Sequence, residues 1–94
     1  MTLSITKTSG NAIAVNANLG ANEKPVLLHR VDIQWLDQNG KAFASNSFRP
    51  DQFLEGPINI LVASMPTVAG AEQVKASANY QIIHVVVTAP TLAL

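Results

Sequence analysis

The chain has 94 residues, of which 48% are hydrophobic, and this size and composition predict one folded domain, residues 1–94, with a single core. It contains no cysteine, which excludes disulfides, thiolate nucleophiles and cysteine-ligated metals. Only 13% of its residues are charged, and the six basic and six acidic side chains are scattered singly, so no basic stripe is present to bind nucleic acid. A surface this neutral favours self-association or docking into an assembly.

Two strands are predicted in the first twenty residues. In both, apolar residues alternate with small or polar ones, at Leu3 and Ile5 in the first strand and at Ile13, Val15 and Ala17 in the second. Residues 9–11, Ser-Gly-Asn, are typical of the turn between them. Residues 19–25 combine glycine, asparagine and proline, and they predict a loop.

The strongest strand pattern covers residues 26–36. Its odd positions Val31, Ile33 and Trp35 predict a core face, and its even positions Arg30, Asp32 and Gln34 predict a solvent face. The sequence Asn39-Gly40 then gives a strong hairpin signal, because both residues tolerate positive φ. Residues 41–45 should therefore return antiparallel to this strand.

The second half of the chain contains more breakers. Residues 46–57 predict an irregular loop that Phe48, Phe53 and Leu54 anchor to the core. Residues 58–62 alternate as a further strand that ends at residues 64–66. Residues 67–73 predict a loop or helical turn that leads into another strand, and residues 82–88 predict a central or interface strand. Residues 91–94 are then expected to form a tail.

About seven short strands predict an all-β fold, namely a small antiparallel β-sandwich of immunoglobulin-like type, with Trp35 between the sheets. A small open β-barrel is the alternative. Residues 33–41, Ile-Gln-Trp-Leu-Asp-Gln-Asn-Gly-Lys, the turn Leu54-Glu55-Gly56-Pro57 and the strand at 58–62 resemble bacterial FxLYD-type and related envelope β-sandwich domains. The resemblance covers residues 26–63 and implies a β-sandwich of the cell envelope without a catalytic site.

The N-terminus and the apolar stretches bear on location. Residues 1–7 lack the basic and apolar pattern of a signal peptide. The longest apolar stretch, residues 82–87, contains His84 and is too short to cross a bilayer. We therefore expect neither a signal peptide nor membrane insertion, and an extracytoplasmic location would require a leader that had been removed.

The spacing of the residue pairs that could support catalysis does not bring them together. His29 and Asp32 are three apart on a strand that we expect to be unbroken, so they should point to opposite faces. Asp51 and Glu55 lie in the breaker-rich loop and are expected to be solvated charges. The sequence therefore predicts no catalytic residue and no enzyme activity.

The candidate metal sites also lack ligands. His29 and His84 could meet across a sheet, but no third ligand is spaced to join them. Asp37-x-Asn39-Gly40 has the start of a calcium loop, yet oxygen ligands do not follow it. We therefore predict no metal and no cofactor.

The candidate interaction residues are Phe43, Phe48, Arg49 and Phe53, because aromatic side chains beside an arginine are favoured at surfaces where proteins bind their partners. The alternative is that the phenylalanines only plug the core beneath a loop. The leading functional hypothesis is a structural or assembly subunit, a virion, surface or appendage component, that self-associates through edge strands or neutral sheet faces. An envelope β-sandwich that binds a protein or a glycan is the second hypothesis.

Overall fold

The computed structural model describes residues 1–80 and 85–94, and these residues form strands joined by turns and loops, without a helix. The strands are β1 (Thr2–Thr8), β2 (Ala12–Leu19), β3 (Val26–Leu36), β4 (Ala42–Phe48), β5 (Gln52–Leu54), β6 (Ile58–Pro66), β7 (Gln73–Tyr80), β8 (Val85–Thr88) and β9 (Leu92–Ala93). The described part of the chain accordingly offers no helix that is long and apolar enough to cross a membrane.

The strands form two antiparallel sheets. The small sheet has the order β1-β2-β6, and the large sheet has the order β4-β3-β7-β8. Strand β5 pairs with β3 along the edge that β4 also occupies, and β9 pairs with β7 along the edge of β8. This confirms the all-β sandwich. The order is immunoglobulin-like, except that the fourth strand pairs with the third instead of joining the small sheet.

The core lies between the two sheets. It is formed by alternate residues of the long strands, including Val31, Ile33 and Trp35 of β3, all fully buried. The Trp35 indole Nε1 donates a hydrogen bond to Oδ1 of Asn46 on β4 at 2.9 Å, so its polar atom is satisfied. The predicted core face of β3 and the place of Trp35 between the sheets are confirmed.

Several predicted boundaries were wrong. Strand β4 extends to Phe48, and the loop expected at residues 46–57 contains the short strand β5. Strand β6 ends at Pro66, within the residues 64–66 where its end was predicted, whereas the expected C-terminal tail contains β9. The strand predicted at 82–88 is represented by β8, while residues 82–84 lie outside the described residues. The short strands were missed because two or three residues show no period, and a neighbouring strand decides their conformation.

Two bulges change which residues face the core. In β3 the buried positions are Val26 and Leu28 before the bulge and Val31 after it, because His29 has no partner in the β3–β7 register. In β6 the register with β2 skips Val62, so Ile60 points inward before the bulge and Ala63 after it. An extra residue in one strand reverses its alternation, so neither strand follows a single period of two.

The hairpin between β3 and β4 forms where it was predicted but with another turn. Gly40 has φ +77° and Asn39 does not have positive φ. The Gly40 amide donates to the Asp37 carbonyl oxygen at 2.9 Å, and the Asp37 amide donates to the Lys41 carbonyl oxygen at 2.8 Å. These bonds describe a three-residue hairpin loop with a left-handed glycine at its end. Oδ1 of Asp37 accepts the Asn39 and Lys41 amides, so the carboxylate stabilises the turn.

Candidate interaction surfaces

The outer face of the large sheet is a shallow polar depression, which we call the large-sheet face. It is open to solvent and has a volume of about 530 Å³, within the usual range for ligand sites. All four main strands line it, and its side chains are Arg30, Asp32, Gln34, Ser45, Ser47, Lys75, Ser77, Val86 and Thr88. The even positions of β3 that the sequence predicted to face solvent therefore lie in this depression.

Asp32 organises the charges of the large-sheet face. Its Oδ2 accepts a hydrogen bond from Nε of Arg30 at 3.0 Å, and its Oδ1 accepts one from Oγ of Ser47 at 2.6 Å. Lys75 lies opposite Gln34 in the β3–β7 register and makes no ion pair with any carboxylate of residues 1–80 or 85–94. The face can therefore hydrogen-bond a polar ligand with fixed groups, but none of the side chains that line it has an aromatic ring for stacking.

The outer face of the small sheet, which we call the small-sheet face, has a different composition. Every side chain on it is exposed or half-buried, and none is charged. It consists of Thr2, Ser4, Thr6 and Thr8 of β1, Ala12, Ala14, Asn16 and Asn18 of β2, and Asn59, Leu61, Ser64 and Pro66 of β6. Nδ2 of Asn16 donates to Oδ1 of Asn59 at 3.2 Å, which links β2 and β6 across the face. Leu61 is the largest apolar side chain, 54% exposed.

Strand β6 forms one edge of the small sheet. Among the described strands it pairs only with β2, and its nine residues carry no charge. Its inward side chains at Ile58, Ile60 and Met65 are only half-buried. Proline at positions 57 and 66 and the bulge at Val62 interrupt its outer edge, and both features reduce the ability of an edge strand to add another strand.

The four residues predicted as an interaction surface lie along the β4–β5 edge of the large sheet. Phe53 and Phe43 are exposed by 64% and 47%, Arg49 is exposed, and Phe48 is half-buried against the core. Phe48 therefore packs against the core, but from strand β4 and not from beneath a loop, and Phe53, which was expected to anchor the loop to the core, is exposed.

The same four residues are spread along the edge. The register places Phe53 opposite Leu27 of β3 and Phe43 at a bulge opposite Trp35 and Leu36. Eight residues of strand separate these levels, a distance of about 26 Å at the usual rise. Phe48, Arg49 and Phe53 thus share one end of the edge, and Phe43 lies at the other end, next to Gly70.

His29 has a carboxylate neighbour that sequence reasoning missed. Its Nδ1 lies 3.3 Å from Oδ1 of Asp51, which has φ +44° in the short connection before β5. The premise that β3 is unbroken was wrong, because His29 occupies the bulge. The carboxylate of Asp32 is nevertheless bonded to Arg30 and Ser47. The β3–β5 pairing that brings Asp51 to His29 has no local sequence signal.

The surroundings of this pair limit its chemistry. The side chains of His29 and Asp51 are 34% and 63% exposed, so the contact is well solvated. Nε2 of His29 is buried and has no hydrogen-bond partner among the described residues. Within the described ranges no group of three or more His, Asp or Glu side chains is arranged to hold a metal ion. The pair therefore stands as a surface ion pair whenever His29 is protonated.

No protein family, no curated protein and no solved structure matches this chain.

Proposed function

We propose that the chain is a non-catalytic structural or assembly subunit, a virion, surface or appendage component, that self-associates through uncharged surfaces. The observation that carries this proposal is the small-sheet face, on which three strands present twelve side chains without a charge. Charged side chains normally keep the solvent faces of sheets apart, and the chain as a whole has a formal net charge of zero. Contact between copies therefore meets little electrostatic repulsion.

Large apolar side chains are exposed on several sides of the molecule, which suits a subunit with more than one neighbour. Leu61 lies on the small-sheet face and Val86 on the large-sheet face, while Phe43 and Phe53 lie along the β4–β5 edge. Single exposed apolar residues are common, but here they accompany a charged content about half of the usual share.

Sedimentation velocity and light scattering test this proposal. We expect the mean mass to rise above that of a 10.0 kDa monomer as the concentration increases. A range from about 10 μM to about 1 mM covers the weak contacts expected of one assembly interface. Because the surfaces are uncharged, added salt should not dissociate the oligomers. A strict monomer over the whole range would contradict the proposal.

The large-sheet face favours a second candidate, a β-sandwich that binds a glycan or a protein ligand. Its support is the open depression of about 530 Å³, in which hydroxyl, amide and guanidinium groups could bind sugar hydroxyls. Titration of labelled protein with neutral oligosaccharides, followed by amide chemical shifts, tests it. Shifts confined to residues such as Gln34, Ser45 and Lys75 would support binding, and unchanged spectra at millimolar sugar would refute the glycan form.

A further inference from the structure

We propose that the small-sheet face packs against the same face of a second copy of this chain, with a two-fold axis passing near Asn16. This inference rests on the proposed self-association and adds to it the surface and the symmetry of the contact. Asn16 lies on the central strand β2, and the register places Ser4 of β1 and Leu61 of β6 on its two sides. It therefore marks the centre of the face.

The charge distribution favours a second copy as the occupant. In a two-fold contact a side chain near the axis meets its own copy, so any charge there meets a like charge. The small-sheet face has none. The large-sheet depression is lined by Arg30 and Lys75 with Asp32 as its one carboxylate, so contact of this face with its copy would oppose two surfaces with an excess of positive charge. Of the two faces, the small-sheet face is therefore the one that can meet its copy without opposing like charges, wherever the axis lies.

The shape of the face also permits close packing. Seven of its twelve side chains are Ser, Thr or Ala, and its central strand contributes only Ala and Asn. Small side chains allow two sheets to approach to about 10 Å or less. Leu61, exposed by 54%, supplies the apolar surface that such a contact would remove from water.

Strand addition at the edges of the small sheet is less favoured than packing of its face. The outer edge of β6 is interrupted by Pro66 and by the bulge at Val62, and β1 carries Lys7. The face itself lacks these protective features, since its only proline lies at the end of β6. A second copy would therefore be bound by side chains rather than by backbone hydrogen bonds.

The size of the face sets the strength of the contact. Three strands spaced by about 4.8 Å and about eight residues long have a footprint of roughly 370 Å² per copy, or roughly 750 Å² for a pair. Stable interfaces bury about 1,200–2,000 Å². We therefore expect a weak, concentration-dependent dimer, a contact that gains strength where many copies are linked in one assembly.

The decisive variants place a charge at Asn16. We expect Asn16→Lys to raise the dimer Kd by about tenfold or more, because two ammonium groups meet near the axis. Asn16→Asp should have the same effect, and an equimolar mixture of the two variants should restore association. The measurement is sedimentation equilibrium of each variant and of the mixture, with circular dichroism to show that each variant is folded.

Matched controls distinguish the effect of the added charge on the Kd from the effects of the lost hydrogen bond and of the place of the substitution. Asn16→Ala removes the bond to Asn59 without adding a charge and should raise the Kd by less than Asn16→Lys does. Gln38→Lys adds the same charge at an exposed position of the β3–β4 turn, outside both faces, and should leave the Kd within about twofold of the wild-type value. If Asn16→Lys is unfolded, Ser4→Lys tests the same face from an exposed position on β1.

The outcomes distinguish this inference from the function on which it rests. A wild-type protein that stays monomeric overturns both. Association that is unchanged by a folded Asn16→Lys or Ser4→Lys variant overturns the face but leaves self-association in place. A mixture of the Lys and Asp variants that remains monomeric overturns the two-fold symmetry.

Discussion

The two outer faces of the sandwich are built from the same alternation and carry opposite kinds of side chain. On the large-sheet face, outward positions hold Arg30, Asp32 and Lys75 around a depression. On the small-sheet face, outward positions hold only neutral and mostly small residues. The alternation of a strand decides which of its residues face solvent, but it does not restrict which residue types stand at the outward positions. The role of each face therefore depends on outward residues that the core does not constrain.

The faces also differ in how their polar groups are fixed. Asp32 accepts hydrogen bonds from both Arg30 and Ser47, so a charge is held in place on the large sheet. The small-sheet face has one amide–amide bond, between Asn16 and Asn59. A fixed charge suits recognition of a polar ligand, whereas a neutral and weakly bonded face suits contact with another neutral face.

The largest expected loss of stability comes from a substitution at Gly56, which makes a close backbone contact just before β6, a strand of the small-sheet face. A Cβ at Gly56 would overlap the carbonyl oxygen of Gly20 and lie 3.1 Å from that of Leu19. We expect Gly56→Ala to lower the free energy of unfolding by about 2 kcal/mol, because backbone atoms must move apart. Urea unfolding measures this change. Gly20→Ala is the control, since the atoms nearest to its Cβ belong to the flexible side chain of Glu23, at 3.6 Å; equal losses in the two variants would contradict a backbone clash as the cause of the loss at Gly56.

The intermediate effect concerns the fixed charge of the large-sheet face. Asp32→Ala removes the acceptor for both Arg30 and Ser47, and we expect a loss of about 1 kcal/mol at low salt. The loss should decrease as salt is added, because the groups are partly exposed. Gln34→Ala, on the same strand and the same face, is the matched control and should cost less. A loss at Asp32 that does not depend on salt would show that the ion pair is not its source.

The smallest expected loss of stability comes from removing the hydrogen bond between Asn16 and Asn59 on the small-sheet face. Asn59→Ala removes the acceptor for the Asn16 amide, and since both groups are exposed we expect a loss of about 0.5 kcal/mol or less. Unlike the loss at Asp32, it should be the same at low and high salt. Chemical unfolding at two salt concentrations measures both values. A salt-dependent loss at Asn59 would remove the contrast drawn between the two faces.

Local patterns predicted the long strands well. Strand β3 begins and ends where its alternation indicated, because Val31, Ile33 and Trp35 report one buried face directly. The bulges at His29 and Val62 were not predicted, because an inserted residue changes the phase of a pattern without changing its composition.

The candidate surfaces were harder to predict than the fold. The small-sheet face requires β6 to lie beside β2, a pairing between residues far apart in the sequence, such as Asn16 and Leu61. No local signal specifies such a pairing. Phe43 and Phe53 are only ten residues apart in sequence, yet pairing with β3 places them at opposite ends of an edge. Sequence proximity was therefore a poor guide to a shared surface.

The burial of Trp35 provides a reporter inside the molecule. It is the only tryptophan of the chain, it is fully enclosed between the sheets, and its indole nitrogen is hydrogen-bonded to Asn46. Its fluorescence emission should shift to longer wavelength when the sandwich opens and water reaches the ring. Because the small-sheet face lies on the far side of the core from Trp35, docking of a second copy there should leave the emission unchanged. The fluorescence of Trp35 can thus distinguish unfolding from dimer formation in one sample.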